Sequence, residues 1–292
     1  MFDIDDLRIF VEVADTGGLT TAARRLGMAK SIVSRRMQRL ETELGVQLLA
    51  RNTRGTSLTE AGATFREHAA RACAELDAAR ETLSPEGELR GRLRIAAPLS
   101  FGATHIAPVL AAMAKRHPLL HIHTSYSDHI VDLVAEGFDV AIRIGRLTDS
   151  NLVARRIGRG RAILVASPEY IETHGAPKSL DEIADHEAIM LGMEAWPFRK
   201  GDDIVTVHPQ GRFKANNGMA LVPAVVQGLG IAVLPDFLSE APLAAGTVVP
   251  LLPENPLPDG GIYVVRPPGA QPSRKIRVLT ELLVERFGDF DR

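Results

Sequence analysis

The sequence has one cysteine, Cys73, in 292 residues. A single thiol excludes an internal disulfide and fits a reducing compartment. Neither sign of charge is in excess: 34 Lys and Arg stand against 36 Asp and Glu, for a net charge of -2. The chain as a whole is therefore not built to bind polyanions, and any nucleic-acid surface has to be a local patch. No apolar run reaches the roughly 18 residues of a membrane span. The start, MFDIDDLRIF, is acidic and lacks the apolar core of a secretory leader. Catalytic signatures are also missing. There is no G-x-S-x-G elbow, and GLG at Gly228–Gly230 lacks the further glycine and acidic partner of a dinucleotide fingerprint. The expectation is a soluble, cytoplasmic protein that is not an enzyme. At this length two domains are comfortable.

What is present is unevenly placed. Ile4, Leu7, Phe10, Val11 and Ala14 recur at helical spacing and end at Thr16-Gly17-Gly18. A second helix is expected from Thr20, read as its N-cap, through Ala22, Ala23 and Leu26 to Gly27. A third is expected from Lys30 to Leu44, burying Ile32, Val33, Met37, Leu40 and Leu44, with Gly45 closing it. Helices joined by a tight glycine turn form a helix-turn-helix pattern. Between Arg24 and Arg54 eight basic residues face two acidic ones, Glu41 and Glu43. Such a patch can neutralise phosphates, and Lys30, Ser31, Ser34 and Arg35 cluster where a recognition helix meets base edges. The alternative is a solvated basic face on a small helical domain. VQLLA and TSL then flank RNTRG as a two-stranded wing with Arg51 and Arg54 at its tip.

These motifs resemble the LysR-type transcriptional regulators: Phe10, then LTTAARRLG, SIVSRRMQRLETELGVQLLAR and LTEAG, almost without a gap over residues 4–66. The resemblance implies DNA contacts by Lys30, Ser31, Ser34, Arg35, Arg51 and Arg54, with Thr20 and Arg36 beside them. Family members often carry Ser-Gln where this chain has Ala29-Lys30, and Phe where it has Leu49. The first departure bears on base preference, because lysine and glutamine read different edges.

From Thr59 to Leu83, Phe65, Ala69, Ala72, Leu76, Ala79 and Leu83 form a seam spaced 4, 3, 4, 3, 4. It reads as a dimerisation helix, as the resemblance also implies, or as a stripe packed on its own domain. Cys73 lies beside it, as a redox sensor or an idle thiol. SPEGELRG marks the hinge. The domains are then 1–58, 59–91 and 92–292.

Beyond Arg92 strands and helices alternate, which means a mostly parallel α/β sheet with ligands at the carboxyl ends of strands. HIVDLVAEG is expected as a helix and VTVHPQGRFKAN as a hairpin-like pair. LRIAAPLSFG, LVAEGFDVAIRIG and GLGIAVLPDF resemble the LysR effector domain, which is similar to periplasmic solute-binding proteins. The resemblance implies two α/β lobes around a cleft, with crossings near 162–168 and 264–267. Cleft candidates at strand and helix ends are Leu99, Ser100, Phe101, Ile144, Gly145, Arg146, Asn217, Gly218 and Pro235, with Asp236 next to the last. Ser100 is a ligand donor or a cap, Asn217 a ligand residue or an N-cap, and Pro235 a ligand residue or the first residue of a helix. The implied partners are promoter DNA, a small and anionic organic effector, a second copy in a dimer and onward to a tetramer, and RNA polymerase. No cofactor is expected. His105, His117, His121, His123 and His129 are dense, but no cysteine or close carboxylate completes a metal set, so none is expected to hold a metal.

Overall fold

The computed structural model describes residues 2–52, 55–83, 88–147, 149–192, 195–269 and 271–288. The chain divides into two compact units. One is Met1–Leu89 with Val134–Gly137 and Gly269–Arg277; the other is Arg90–Leu133, Phe138–Pro268 and Val278–Arg292.

In the first unit, α1 (Ile4–Thr16), α2 (Leu19–Arg25) and α3 (Lys30–Leu44) precede an antiparallel wing of β1 (Leu49–Asn52) and β2 (Gly55–Leu58), and α4 (Glu60–Leu83) follows. Asp3 opens α1 through a reciprocal capping box with Asp6. Gly17 and Gly45 close α1 and α3 in the left-handed conformation, at φ 66° and 67°. Ile9, Phe10, Ala22, Val33, Met37 and Leu40 form the core.

Two expectations fail here. Thr20 is not a cap: Gly18 takes the extended N-cap position, α2 begins at Leu19, and Thr20 is exposed. Ile32 is not buried but 36% exposed. Val33, Met37 and Leu40 share the inward face at i, i+4 and i+7, and Ile32 lies about 100° away from it.

Thr59 fixes the start of α4: its hydroxyl accepts from the Gly62 N–H at 2.9 Å and donates to the Gln47 carbonyl at 2.7 Å. The Asp15 carboxylate grips Arg66 at 2.6 and 2.9 Å, locking α4 onto α1. Arg8 and Asp77 pair across the same two helices.

The second unit has two five-stranded sheets. The first lobe has the order β4 (Leu120–Tyr126), β3 (Gly91–Ala97), β5 (Val140–Gly145), β14 (Gly260–Arg266), β6 (Val153–Gly160). The second has β11 (Gln210–Lys214), β8 (Glu187–Met190), β12 (Ile231–Pro235), β7 (Ala162–Ala166), β13 (Val249–Pro250). The sheets are mixed rather than mostly parallel. β14 runs antiparallel to β5 and β6, and β7 antiparallel to β12 and β13. A separate hairpin of β9 (Trp196–Lys200) and β10 (Asp203–Val207) turns at Gly201, φ 64°.

The α-helices of this unit are α5 (Leu99–Phe101), continuous through a π turn at Gly102–Ile106 with α6 (Ala107–Arg116), then α7 (Pro168–His174), α8 (Gly218–Val226), α9 (Asp236–Ala244) and, from Val278 on, α10 (Arg274–Phe287). Gly102 is held to glycine by packing, since a Cβ there would lie 2.5 Å from the Tyr126 ring.

Three further expectations are corrected. HIVDLVAEG forms turns, not a helix. Leu133 is buried but Ile130 is 84% exposed, so no apolar stripe anchors the segment, and β-branched Ile130 and Val131 add little helix propensity. VTVHPQGRFKAN is not a pair with itself. Val207 ends β10 against β9, Pro209 interrupts, and β11 joins β8 in parallel. The lobe crossings fall at Arg161 and within 251–259. The expected one at 264–267 lies inside β14, which is wholly a first-lobe strand.

Candidate functional site

The first surface to consider is the start of α3. Its N-cap is Ala29, extended at φ -68° and ψ 138°, with no side-chain cap. The first-turn N–H groups of Lys30 and Ser31 therefore point outward without the usual Ser, Thr or Asp acceptor. An anion is well received at such an end. Lys30, Ser31 and Arg35 are exposed and Ser34 is half-buried. Lys30, Arg35 and Arg24 make no ion pair among the described residues.

The rest of the basic count is partly spent inside the domain. Arg36 and Arg39 both reach Asp6, whose side chain is fully buried, and Arg25 lies 3.3 Å from Glu12. The sequence count of eight cations thus overstates the free charge. The partner in α1 is 30 or more positions upstream and invisible to a local tally. Arg51 stands on β1 opposite Thr56. The expectation at Arg54 lies outside the described residues.

The α4 seam divides. Phe65 packs on Phe10 with centroids 5.4 Å apart, and Ala69 is buried in the same core. These two serve their own domain. Ala72 and Ala79 are exposed and Leu76 half-buried. The side chain of Leu83 is outside the described residues. Desolvation raises the Cys73 thiol above its ordinary value, so it is a poor thiolate at neutral pH.

The second surface is a cavity of about 340 Å³ between the lobes of the second unit. Of the expected residues, Ser100, Ile144, Arg146, Gly218 and Pro235 line it. Leu99, Phe101, Gly145 and Asn217 do not, though each adjoins one that does. Phe101 is buried against His105 and Phe237 instead. Gly145 supplies a backbone turn at φ 111°. Asn217 caps α8, accepting from the Met219 N–H at 2.7 Å, and Pro235 is the N-cap of α9 rather than its first residue. The walls are mostly apolar, including Ala97, Ile142, Leu191 and Phe237.

The polar groups are few. Ser100 is 6% exposed, and its hydroxyl makes no hydrogen bond among the described residues. Arg143 and Arg146 also line it, neither paired with a carboxylate among the described residues. Arg143 donates to the Val131 carbonyl at 3.3 Å.

Two groups were missed from sequence: Arg143, inside a strand read only as apolar, and Asp128. The Asp128 carboxylate accepts from the Leu99 N–H and from Asn217 Nδ2, both at 2.8 Å. No local motif signals it, because Asn217 is 89 positions away.

Of the dense histidines, His129 lines the cavity, His121 and His123 lie on β4, and His105 stacks on Phe101 at 4.7 Å. Burial, with Arg286 adding to it, lowers the His105 pKa below 6.5, against Asp236 and Glu240. His186 is lowered too, mainly by burial. A histidine whose folded value is lowered binds protons more readily when unfolded, so stability falls as pH drops below about 6.5. The melting temperature is expected to fall between pH 7.5 and 5.5, and His105→Phe, which keeps the aromatic stack, to flatten part of that fall. Calorimetry at the two pH values checks it.

A family model described as the bacterial regulatory helix-turn-helix protein, lysR family, matches residues 4–63, and the LysR substrate binding domain matches residues 86–288. The chain belongs to the LysR family. The regulator PtxR of Pseudomonas aeruginosa is 37% identical over 98% of this chain and 93% of its own length. The solved structure of CrgA, a LysR-type regulator from Neisseria meningitidis, covers 96% of this chain and 97% of its own at 32% identity and TM-score 0.57. That of AphB, a Vibrio cholerae virulence activator, covers 97% and 99% at 28% identity and TM-score 0.59. These relatives are transcriptional regulators and not enzymes. As a LysR-type protein the chain is a ligand-responsive transcriptional regulator that binds DNA, in a family that forms oligomers. Among the described residues no helix is long and apolar enough to cross a membrane.

Proposed function

We propose that this LysR-type regulator senses a small anionic organic effector in the cavity between its lobes and answers by changing how a dimer or tetramer holds promoter DNA. The observation that carries the effector class is the charge of the cavity. Arg143 and Arg146 outnumber the one lining carboxylate, Asp128, in a mostly apolar space that also holds a buried Ser100 hydroxyl with a hydrogen bond to give. A carboxylate on an apolar body matches this lining, since a buried donor and two cations want an anion and the remaining walls want carbon.

On the DNA side, Lys30, Ser31, Ser34 and Arg35 are the reading set, supported by the uncapped start of α3. Arg51 and Arg54 serve the wing. Arg36, held by Asp6, positions α3 rather than reaching phosphate. Ala72, Leu76, Ala79 and Leu83 form the pairing face of α4, shorter than the full seam because Phe65 and Ala69 pack inward. RNA polymerase is a further partner on this reading. The effector acts only through different affinities for two arrangements of the assembly.

Footprinting on the DNA upstream of the protein's own gene tests the reading. Wild type is expected to protect two-fold-related half-sites, more weakly as salt rises. Arg35→Ala is expected to weaken binding by about tenfold and to lower the log–log salt slope by about one. Ser100→Ala is expected to leave the footprint intact while blunting its response to small carboxylates. Protection insensitive to both salt and Arg35→Ala would refute the DNA assignment.

A further inference from the structure

Asp128 directly precedes the segment expected to be helical, in a bend that lines the cavity. Its two carboxylate oxygens are used by different lobes. One accepts from the Leu99 N–H, the first of a continuous helical run to Arg116. The other accepts from Asn217 Nδ2, on the residue that caps α8. Both donors belong to helix starts, where an anion is stabilised. Leu99 and Met219, the apolar residues at those two starts, are 40% and 53% exposed, and Ile130 beside Asp128 is 84% exposed. Three of the exposed large apolar side chains among the described residues thus lie within two positions of Asp128 or of its two donors.

We propose that Asp128 is a built-in anionic occupant of the effector site. Its carboxylate ties the lobes through Leu99 and Asn217, and an effector carboxylate takes over those donors while Arg143 and Arg146 balance the second negative charge. This rests on reading the cavity as an anion site. Asp128 is exposed, so its hydrogen bonds compete with water and are weak enough to exchange. A buried carboxylate in the same place would be a permanent brace.

Two measurements on the full-length protein test this, using hexanoate as the probe and neutral hexanamide as its control. Calorimetric titration is expected to show hexanoate binding Asp128→Ala about fivefold to tenfold more tightly than wild type, because a competing carboxylate is gone, with hexanamide unchanged. Separately, the melting temperatures of wild type, Asp128→Ala, Asn217→Ala and the double variant form a cycle without ligand. The double variant is expected to lose less than the two single losses together, by about 2 °C.

Additive losses would overturn the bridge. Hexanoate bound equally by wild type and Asp128→Ala, yet weakened in Ser100→Ala, would overturn the exchange and leave the effector reading standing. Hexanoate bound by none of these proteins would overturn the exchange together with the carboxylate reading.

Discussion

Gly62→Ala is expected to unfold the winged domain, although helix propensity alone would have it stabilise α4 by about 1 kcal/mol. The opposing effect is steric and larger. A Cβ at position 62 would lie 2.0 Å from the Leu48 carbonyl oxygen and 2.9 Å from its carbon. Leu48 has nowhere to go. Its carbonyl accepts from the Thr59 N–H at 3.0 Å, its N–H donates to Glu41 Oε1 at 2.8 Å, and its side chain is 1% exposed. Relieving the clash breaks these bonds or lifts α4 off the core, at a cost of about 3 kcal/mol or more. For a domain of this size that is roughly 10–20 °C in melting temperature. Calorimetry of the full-length protein should show the N-terminal transition lowered by that amount, with loss of DNA protection at 37 °C. An unchanged or higher transition would mean that α4 and Leu48 are not in contact as described.

Asp6→Asn is the second large effect, and its two readouts move in opposite directions. Asp6 is buried in α1, where it accepts from the Asp3 N–H at 3.0 Å and holds Arg36 and Arg39 of α3. Asparagine keeps an acceptor for the cap but loses the charge. Hydrogen bonds to charged groups contribute about 1.5–3 kcal/mol each. Arg36 and Arg39 are partly exposed and can rehydrate, so the full penalty of a broken buried pair does not apply. A loss of about 2 kcal/mol is expected. Below the melting range, however, Arg36 and Arg39 keep only the more exposed Asp3, at 3.5 and 3.6 Å, and are freer to face DNA. Non-specific binding at low salt should tighten and its salt slope steepen by up to about two. Lower stability with unchanged salt dependence would show that the arginines do not reach phosphate even when free.

The N-terminal half was legible because its signals are local. The capping glycines Gly17, Gly27 and Gly45, the apolar spacing and the Lys30–Leu44 helix all lie within a few residues of what they specify. Strand positions in the second unit were legible for the same reason, from short apolar runs between breakers. Thr20 and Ile32 were local misreadings of a helix start and a helix face, and the rest of what failed depended on neighbours far apart in the chain. HIVDLVAEG had helical spacing but buries only Leu133 and leaves Ile130 exposed, and Gln210–Lys214 found β8 rather than its neighbour. β14 returned to the first lobe after the whole second lobe had been built.

The same division runs through the two sites. Sequence alone determined that a helix-turn-helix with a basic helix start precedes an α/β half, because residue type and period dictate local backbone; the two lobes came from the family resemblance. Only the tertiary structure decided which charges remain free. Asp6 removes Arg36 and Arg39 from the DNA-facing count, Phe65 and Ala69 leave the seam for the core, and Asp128 reaches Asn217 across the cavity. Charge and burial are properties of neighbours in space, and the chain sets those neighbours only once it has folded.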